Sequence, residues 1–184
     1  MKRIAVATLA AAALLLAACG GTGPAGQAGR RTERTQIGTV KTLASGSVPT
    51  VITATDAEGR RVTLDLRDGP VLVAAWWCPH CAALLARNDL PGLPRVVTVW
   101  PQPGQSLEQA LKVEQAMIQA DGWTGDYGHG LFAAETVPGV DTVPTLLYLS
   151  GGKVEELKGE TMPAAEVARN LGGKAAFTKA GGGR

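Results

Sequence analysis

The sequence predicts an α/β domain in which helices flank a central mixed β-sheet, with an extra β-hairpin at its N-terminus. Three observations lead to this prediction. Short apolar runs of strand length alternate with segments of helical periodicity, two pairs of strand-like runs are joined by turn residues, and 45% of the 184 residues are hydrophobic. Such an alternation is typical of a sheet with helices packed against it, and the chain is long enough for one core. We expect the domain to span residues 49–172.

The first half of this domain is predicted to hold a hairpin, a buried strand and a helix. The hairpin comes from β-rich runs at 51–55 and 61–66, joined by the turn sequence DAEG. Residues 70–77, PVLVAAWW, are continuously apolar, as expected for a strand covered on both faces. A helix then begins at the sequence CPHC and runs to Leu90, where the prolines and glycine of PGLP end it.

The second half continues the same alternation. Its predicted elements, in order, are a buried strand at 95–100, a helix with a capping start at 106–120, a loop with the sequence DGWTGDYGHG, a hairpin at 145–149 and 153–157, and a helix at 163–171 that begins with proline.

The N-terminal segment is predicted to be a targeting signal rather than part of the domain. Lys2 and Arg3 precede an apolar run that ends at Ala18, which is shorter than the ~20 residues of a spanning helix and typical of a signal peptide. The run closes with LAACG, which resembles the lipobox of bacterial lipoproteins. That resemblance implies that residues 1–18 are removed and that Cys19 carries the lipid, which would anchor the chain on the extracytoplasmic face of the bacterial cell membrane. The alternative is an ordinary signal peptide with an unrelated cysteine.

The segments on either side of the domain are rich in glycine and polar residues. Residues 19–48 show no hydrophobic period, so we expect a flexible tether there, and we expect a flexible tail at 173–184. The formal net charge of +2 is spread along the chain. Because no basic patch is present in the sequence, we expect no nucleic-acid partner.

Two of the three cysteines lie in the motif Cys78-Pro79-His80-Cys81, at the predicted junction of strand and helix. The unpaired N–H groups and positive dipole of a helix N-terminus favour a thiolate at Cys78, and Pro79 suits the first helical position because it lacks an N–H. His80 can offer the thiolate a hydrogen bond or a positive charge. Cys81 follows one turn later, within reach of Cys78. The motif therefore predicts thiol–disulfide exchange, with Cys78 as the attacking thiolate and Cys81 as the resolving thiol.

Two other interpretations of the motif stay open. A purely structural disulfide would stabilise the fold little, because the loop that it closes is very short. A metal-binding or metal-delivery module would use Cys78, His80, Cys81 and His129, but the sequence lacks a second C-x-x-C or an H-x-x-H to complete the ligand set. We expect no metal, and no cofactor other than a redox-active Cys78–Cys81 disulfide.

The stretches VLVAAWWCPHC and TVPTLLYL resemble two landmarks of the thioredoxin superfamily, and the resemblance covers about residues 51–171. It implies a thioredoxin-like fold, with Trp77 as the aromatic residue before the first cysteine and Pro144 as a cis proline beside the disulfide. It also implies that the backbone of Val143 pairs with an extended segment of a protein substrate.

Within the superfamily, the early hairpin and the helical insertion before Pro144 resemble the membrane-anchored TlpA/ResA-like branch, whose members usually reduce their substrates. The Pro-His dipeptide instead resembles DsbA-type oxidants. We favour an oxidant or isomerase over a reductant, for example in cytochrome c maturation, and expect a membrane redox partner. The resemblance also implies a carboxylate that helps to deprotonate Cys81, but the positions expected for it carry Leu72 and Leu84.

Overall fold

The computed structural model of the chain describes residues 47–99, 105–125, 127–172 and 175–180. The predicted signal peptide, Cys19 and almost all of the predicted tether lie outside these residues. The elements, in chain order, are β1 (Val51–Thr55), β2 (Arg61–Asp65), β3 (Val71–Ala74), α1 (Pro79–Ala86), β4 (Arg95–Val99), α2 (Leu107–Ala120), β5 (Trp123–Gly125), α3 (Tyr127–Gly130), β6 (Leu131–Ala134), β7 (Thr145–Ser150), β8 (Lys153–Lys158), α4 (Ala164–Leu171) and β9 (Phe177–Lys179).

A mixed seven-stranded sheet in the order β2-β1-β6-β4-β3-β7-β8 forms the centre of the domain, and helices flank it. Strands β3, β4 and β6 are parallel, while β7 is antiparallel to β3 and begins the C-terminal hairpin. All four residues of β3 are buried, as its unbroken apolar sequence predicts. This architecture confirms the predicted α/β class with its N-terminal hairpin and is compatible with a thioredoxin-like fold.

Helices α1 and α2 both connect parallel strands of the sheet. The chain passes from β3 through α1 to β4 and from β4 through α2 to β6, and both steps move in the same direction across the sheet. Right-handed crossovers then place the two helices on the same face. A hydrogen bond of 2.7 Å from the indole Nε1 of Trp123, just after α2, to the carbonyl of Leu85 in α1 agrees with this arrangement.

Several element boundaries differ from the expected ones. Helix α1 ends at Ala86 rather than Leu90, because Arg87 adopts an extended backbone (φ −64°, ψ 136°) and its guanidinium binds Asp89. Strand β2 gives way to a short 3₁₀ turn at Leu66–Asp68. The capping start of α2 is confirmed, since the Ser106 side chain accepts from the Gln109 N–H and the Gln109 side chain accepts from the Ser106 N–H.

The segment expected to be a loop at 121–130 instead contains β5 and α3, and it leads into β6, which the sequence did not predict. These elements have three or four residues each, which is too short for a hydrophobic period to be visible. Trp123 of β5 is completely buried. The loop sequence therefore contributes to the core.

Within residues 175–180, which the sequence assigned to a flexible tail, Phe177–Lys179 form β9 and pair with β5. Phe177 is fully buried, and Cβ atoms at Gly92, Gly125 or Gly130 would collide with residues 175–177. Gly125 and Gly130 thus make room for the Phe177 ring, and Gly92 makes room for Ala175 and the Phe177 backbone. Because these glycines are far from residues 175–177 in sequence, composition alone gave no sign of the packing.

The end of β9 also covers the C-terminus of α1. The Nζ of Lys179 donates hydrogen bonds to the carbonyls of Ala86 and Arg87 and to the side chain of Asn88. A cation at the negative end of a helix dipole stabilises that helix. Within the described ranges, no helix is long and apolar enough to cross a membrane.

Candidate functional site

Cys78 is the N-cap residue of α1. Its backbone is extended (φ −90°, ψ 117°), its carbonyl accepts hydrogen bonds from the N–H groups of Cys81 and Ala82, and Pro79 occupies the first helical position. No side-chain hydrogen bond caps this helix start, and Pro79 has no N–H to offer, so Cys78 lies at the positive end of the helix dipole without accepting a capping hydrogen bond. The side chain is 5% exposed. Cys78 is therefore buried at the N-terminal end of α1.

The cis-proline loop lies directly against Cys78. The Cys78 Sγ is 3.5 Å from the backbone oxygen of Val143, and the peptide bond between Val143 and Pro144 is cis. Val143 is half-buried and Pro144 is buried, and the Thr145 hydroxyl donates to the Thr142 carbonyl, which closes the loop. Residues that are 65 positions apart in sequence are thus brought together at one sulfur.

Cys81 lies in the first turn of α1 and is 1% exposed. Its sulfur accepts a hydrogen bond of 3.3 Å from the N–H of Ala75, and both cysteines are free thiols. Burial raises the pKa of the Cys81 thiol far above its ordinary range. The negative charges of Cys78 and Glu114 act in the same direction, against the opposing effect of the Ala75 N–H. Cys81 therefore keeps its proton until another group accepts it.

Glu114 is a fully buried carboxylate on α2. Neither of its side-chain oxygens has a hydrogen-bond partner within the described part of the chain, and burial raises its pKa to about 7. Its charge influences Cys81, so the two groups interact electrostatically. The hydroxyl of Thr98, on the strand β4 that α2 packs against, is likewise buried without a partner there. A carboxylate kept in this environment can exchange a proton near neutral pH.

Sequence reasoning missed Glu114, although a signal was present. Leu107, Leu111 and Ile118 lie on one face of α2, and Glu114 occupies the same face, seven residues after Leu107 and four before Ile118. A charged residue within an apolar helical stripe is a buried charge, and a buried charge without a structural partner is a candidate for function.

His80 extends from the first turn of α1 toward solvent. Its side chain is 66% exposed, and its Nδ1 lies 2.6 Å from Oε2 of Glu160, which follows β8. The sequence suggested that His80 would act on the Cys78 sulfur. In the structure its ring nitrogen is instead paired with a carboxylate that the sequence analysis did not identify.

Two tryptophans precede the first cysteine. Trp76 and Trp77 are both half-buried, and Trp77 packs against the hydrophobic core. The indole N–H groups of both are buried and have no hydrogen-bond acceptor in the described ranges. Pro79, beside them, is exposed.

The residues considered for a metal site do not all meet at the motif. His129 lies in the short helix α3 and is exposed. In the described ranges, no group of three or more His, Cys, Asp or Glu side chains is arranged to hold a metal ion.

Comparison with known proteins adds little to this description. No family model matches the chain, and no curated protein matches it. It is similar to a solved structure from Aquifex aeolicus VF5 described as a "putative electron transfer protein", with 18% sequence identity and a TM-score of 0.42. The similarity covers 71% of this chain and 92% of that one. A likeness this distant carries no argument about the present chain.

Proposed function

We propose that this chain is a thiol–disulfide oxidoreductase of the thioredoxin superfamily, which exchanges disulfides with protein thiols through Cys78 and Cys81. The observation that carries the proposal is the arrangement around one sulfur. Cys78 is the residue at the N-terminal boundary of α1, Cys81 is buried one turn later, and the carbonyl of Val143 lies 3.5 Å from the Cys78 Sγ. A thiol at a helix N-terminus with a second, buried thiol one turn later is the arrangement that two-step exchange requires.

In the oxidising direction, a substrate thiolate attacks the Cys78 sulfur of the Cys78–Cys81 disulfide. The sulfur–sulfur bond breaks, Cys81 leaves with the electron pair and takes up a proton, and a mixed disulfide joins substrate and Cys78. A second thiolate of the substrate then attacks the substrate sulfur of the mixed disulfide. A disulfide forms within the substrate, and Cys78 leaves as a thiolate. The substrate loses two electrons and the protein gains them. The reducing direction is the same sequence reversed.

Glu114 is the group that accepts the Cys81 proton during this exchange and returns it. Because burial strongly disfavours a Cys81 thiolate, its attack on the mixed disulfide needs a nearby proton acceptor. A carboxyl group with a pKa of about 7 is close to half ionised at neutral pH, so it can accept that proton or return it. We assign Glu114 this role, which the resemblance placed at Leu72 or Leu84.

The backbone of Val143 is the proposed substrate contact. An extended peptide that adds to this loop as a short strand would bring its own sulfur to Cys78, with Trp77 and Pro144 as apolar neighbours. We favour an oxidant or isomerase, because Pro-His at an uncapped helix start is suited to stabilising a thiolate. The TlpA/ResA-like features instead favour a reductant, which would run the same exchange in the opposite direction.

The lipobox-like sequence in the N-terminal segment is the basis for the proposed cellular location. We propose that Cys19 is lipidated and that residues 19–48 hold the domain away from the extracytoplasmic face of the bacterial cell membrane, where a membrane redox partner would reset the disulfide.

The proposal can be tested by trapping the mixed disulfide between Cys78 and its substrates. In membranes that contain the full chain with Cys81→Ala, mixed disulfides with other proteins should accumulate on Cys78 and disappear on reduction. The matched variant Cys78→Ala, which retains one thiol, should accumulate none. Equal accumulation in both variants, or in neither, would contradict the proposal.

A further inference from the structure

One exposed face of α1 is attached at two points to the segment that follows β8. His80 and Arg87 are seven residues apart, two turns of helix and about 10 Å, so they lie on the same face. His80 Nδ1 is 2.6 Å from Glu160 Oε2, while Arg87 Nη1 donates to the carbonyls of Glu160 (2.9 Å) and Met162 (2.5 Å). Residues 160–162 therefore run along the helix that carries both cysteines.

The same segment is also attached to the cis-proline loop. The N–H of Gly159 donates a 2.9 Å hydrogen bond to the carbonyl of Pro144. Gly159 has a φ of +86°, a conformation that side-chain-bearing residues rarely adopt, and it turns the chain from β8 toward α1. Hydrogen bonds therefore attach the backbone at Gly159 and Glu160 to both the cis-proline loop and α1, and the Glu160 carboxylate meets the His80 imidazole from this position.

We propose that Glu160 is a positioning residue that acts through His80 and makes the Cys78–Cys81 couple less oxidising than its motif alone would be. This inference rests on the proposed function. A positive charge on His80, two residues after Cys78 in the sequence, would stabilise the thiolate of the reduced protein and so raise the reduction potential. A carboxylate at 2.6 Å holds the ring by its Nδ1 and offsets that positive charge. Both effects weaken the stabilisation that His80 can provide to the Cys78 thiolate.

The equilibrium that reports this effect is exchange with glutathione. One Cys78–Cys81 disulfide and two glutathione thiols give the Cys78 thiolate, the Cys81 thiol, one proton and one glutathione disulfide. Two electrons pass from glutathione to the protein, and charge and atoms balance. Only the reduced protein carries the thiolate, so a neighbouring charge shifts this equilibrium.

The test compares Glu160→Gln with the original chain at pH 6.0, below the ordinary pKa of a histidine side chain. We expect the equilibrium constant for reduction by glutathione to rise roughly two- to fivefold, or about 0.4–1 kcal/mol at 1.4 kcal/mol per factor of ten. This range is what exposed charge pairs usually contribute. The matched control is Glu155→Gln, the same change at an exposed position in β8, which should leave the constant unaltered.

A second comparison tests the route through His80. In a His80→Ala background, Glu160→Gln should change the constant by less than half as much. An unchanged constant in Glu160→Gln, or an equal shift with and without His80, would overturn the inference while leaving the proposed function intact. If the original chain forms no internal disulfide at any glutathione ratio, the proposed function fails, and the inference falls with it.

Discussion

Replacing Glu114 with glutamine should make the protein more stable and a slower catalyst. In the folded chain, burial holds the pKa of Glu114 at about 7, compared with an ordinary value of 4.5. The folded state therefore binds this proton more tightly than the unfolded state. The contribution to stability is complete below pH 4.5 and is lost as the pH rises through 7. At pH 8 the loss amounts to about 3 kcal/mol, at 1.36 kcal/mol for each factor of ten in proton affinity.

Glu114→Gln removes the ionisable group and keeps its size. Urea unfolding should show the variant about 2–3 kcal/mol more stable than the original chain at pH 8, and within about 1 kcal/mol of it at pH 5. Release of a mixed disulfide from Cys78 by Cys81 should be roughly ten- to a hundredfold slower, because general base catalysis contributes effects of that order or larger. Stopped-flow measurement of single-turnover exchange follows this step directly.

The matched control is Glu108→Gln, which changes an exposed carboxylate on the same helix that pairs with Lys112. It should alter stability by less than about 0.5 kcal/mol and leave resolution by Cys81 unchanged. If Glu114→Gln resolves the mixed disulfide at the original rate, Glu114 is not the proton acceptor. If its stability shows the same pH dependence as the original chain, the buried charge assigned to Glu114 is wrong as well.

Three further predictions concern the residues that hold α1 in place. Phe177→Ala should lower the free energy of unfolding by roughly 3–5 kcal/mol in urea titrations, since its ring is fully buried, and a loss below 1 kcal/mol would show that β9 is not part of the core. Trp123→Phe should cost about 1–3 kcal/mol, because the buried Leu85 carbonyl loses its indole donor, and an unchanged midpoint would contradict that hydrogen bond. Gly125→Ala should lower the melting temperature by several degrees, as a Cβ there would lie 2.2 Å from the Ala176 carbonyl oxygen, whereas an unaltered temperature would rule out the close β5–β9 contact.

The sequence predicted the parts of the fold that are long or strongly patterned. The unbroken apolar run before Cys78 and the turn residues at 56–59 correspond to β3 and to the β1–β2 hairpin. The capping residues before Leu107 correspond to the start of α2. In each case the signal lies within a few neighbouring residues, which is where propensity and periodicity operate.

The remainder depends on contacts between distant segments. Phe177 lies close to alanines and glycines in sequence, and its ring packs against Gly125 and Gly130, which belong to other elements. Glu160 reaches His80 only because Gly159 turns the chain toward α1. Periodicity within one segment cannot reveal such pairings, because the partners come from other elements.

Glu114 stands between these two cases. Its place on the apolar face of α2 was readable from the spacing of Leu111 and Ile118, but its proximity to Cys81 depends on two crossovers that place α1 and α2 on one face of the sheet. The sequence could have marked it as a buried charge. Only the three-dimensional fold shows that this charge lies near Cys81.

The measurement that tests the central claim most directly is a redox titration of the full chain in detergent. The protein is equilibrated with glutathione at a series of ratios, its free thiols are alkylated, and the products are counted by mass spectrometry. We predict a single two-electron transition between a reduced protein with two free thiols and an oxidised protein with none. Its midpoint should lie nearer about −120 mV for an oxidant and nearer about −270 mV for a reductant. Thiols that never form an internal disulfide, or a stable glutathione adduct on Cys78 alone, would contradict it.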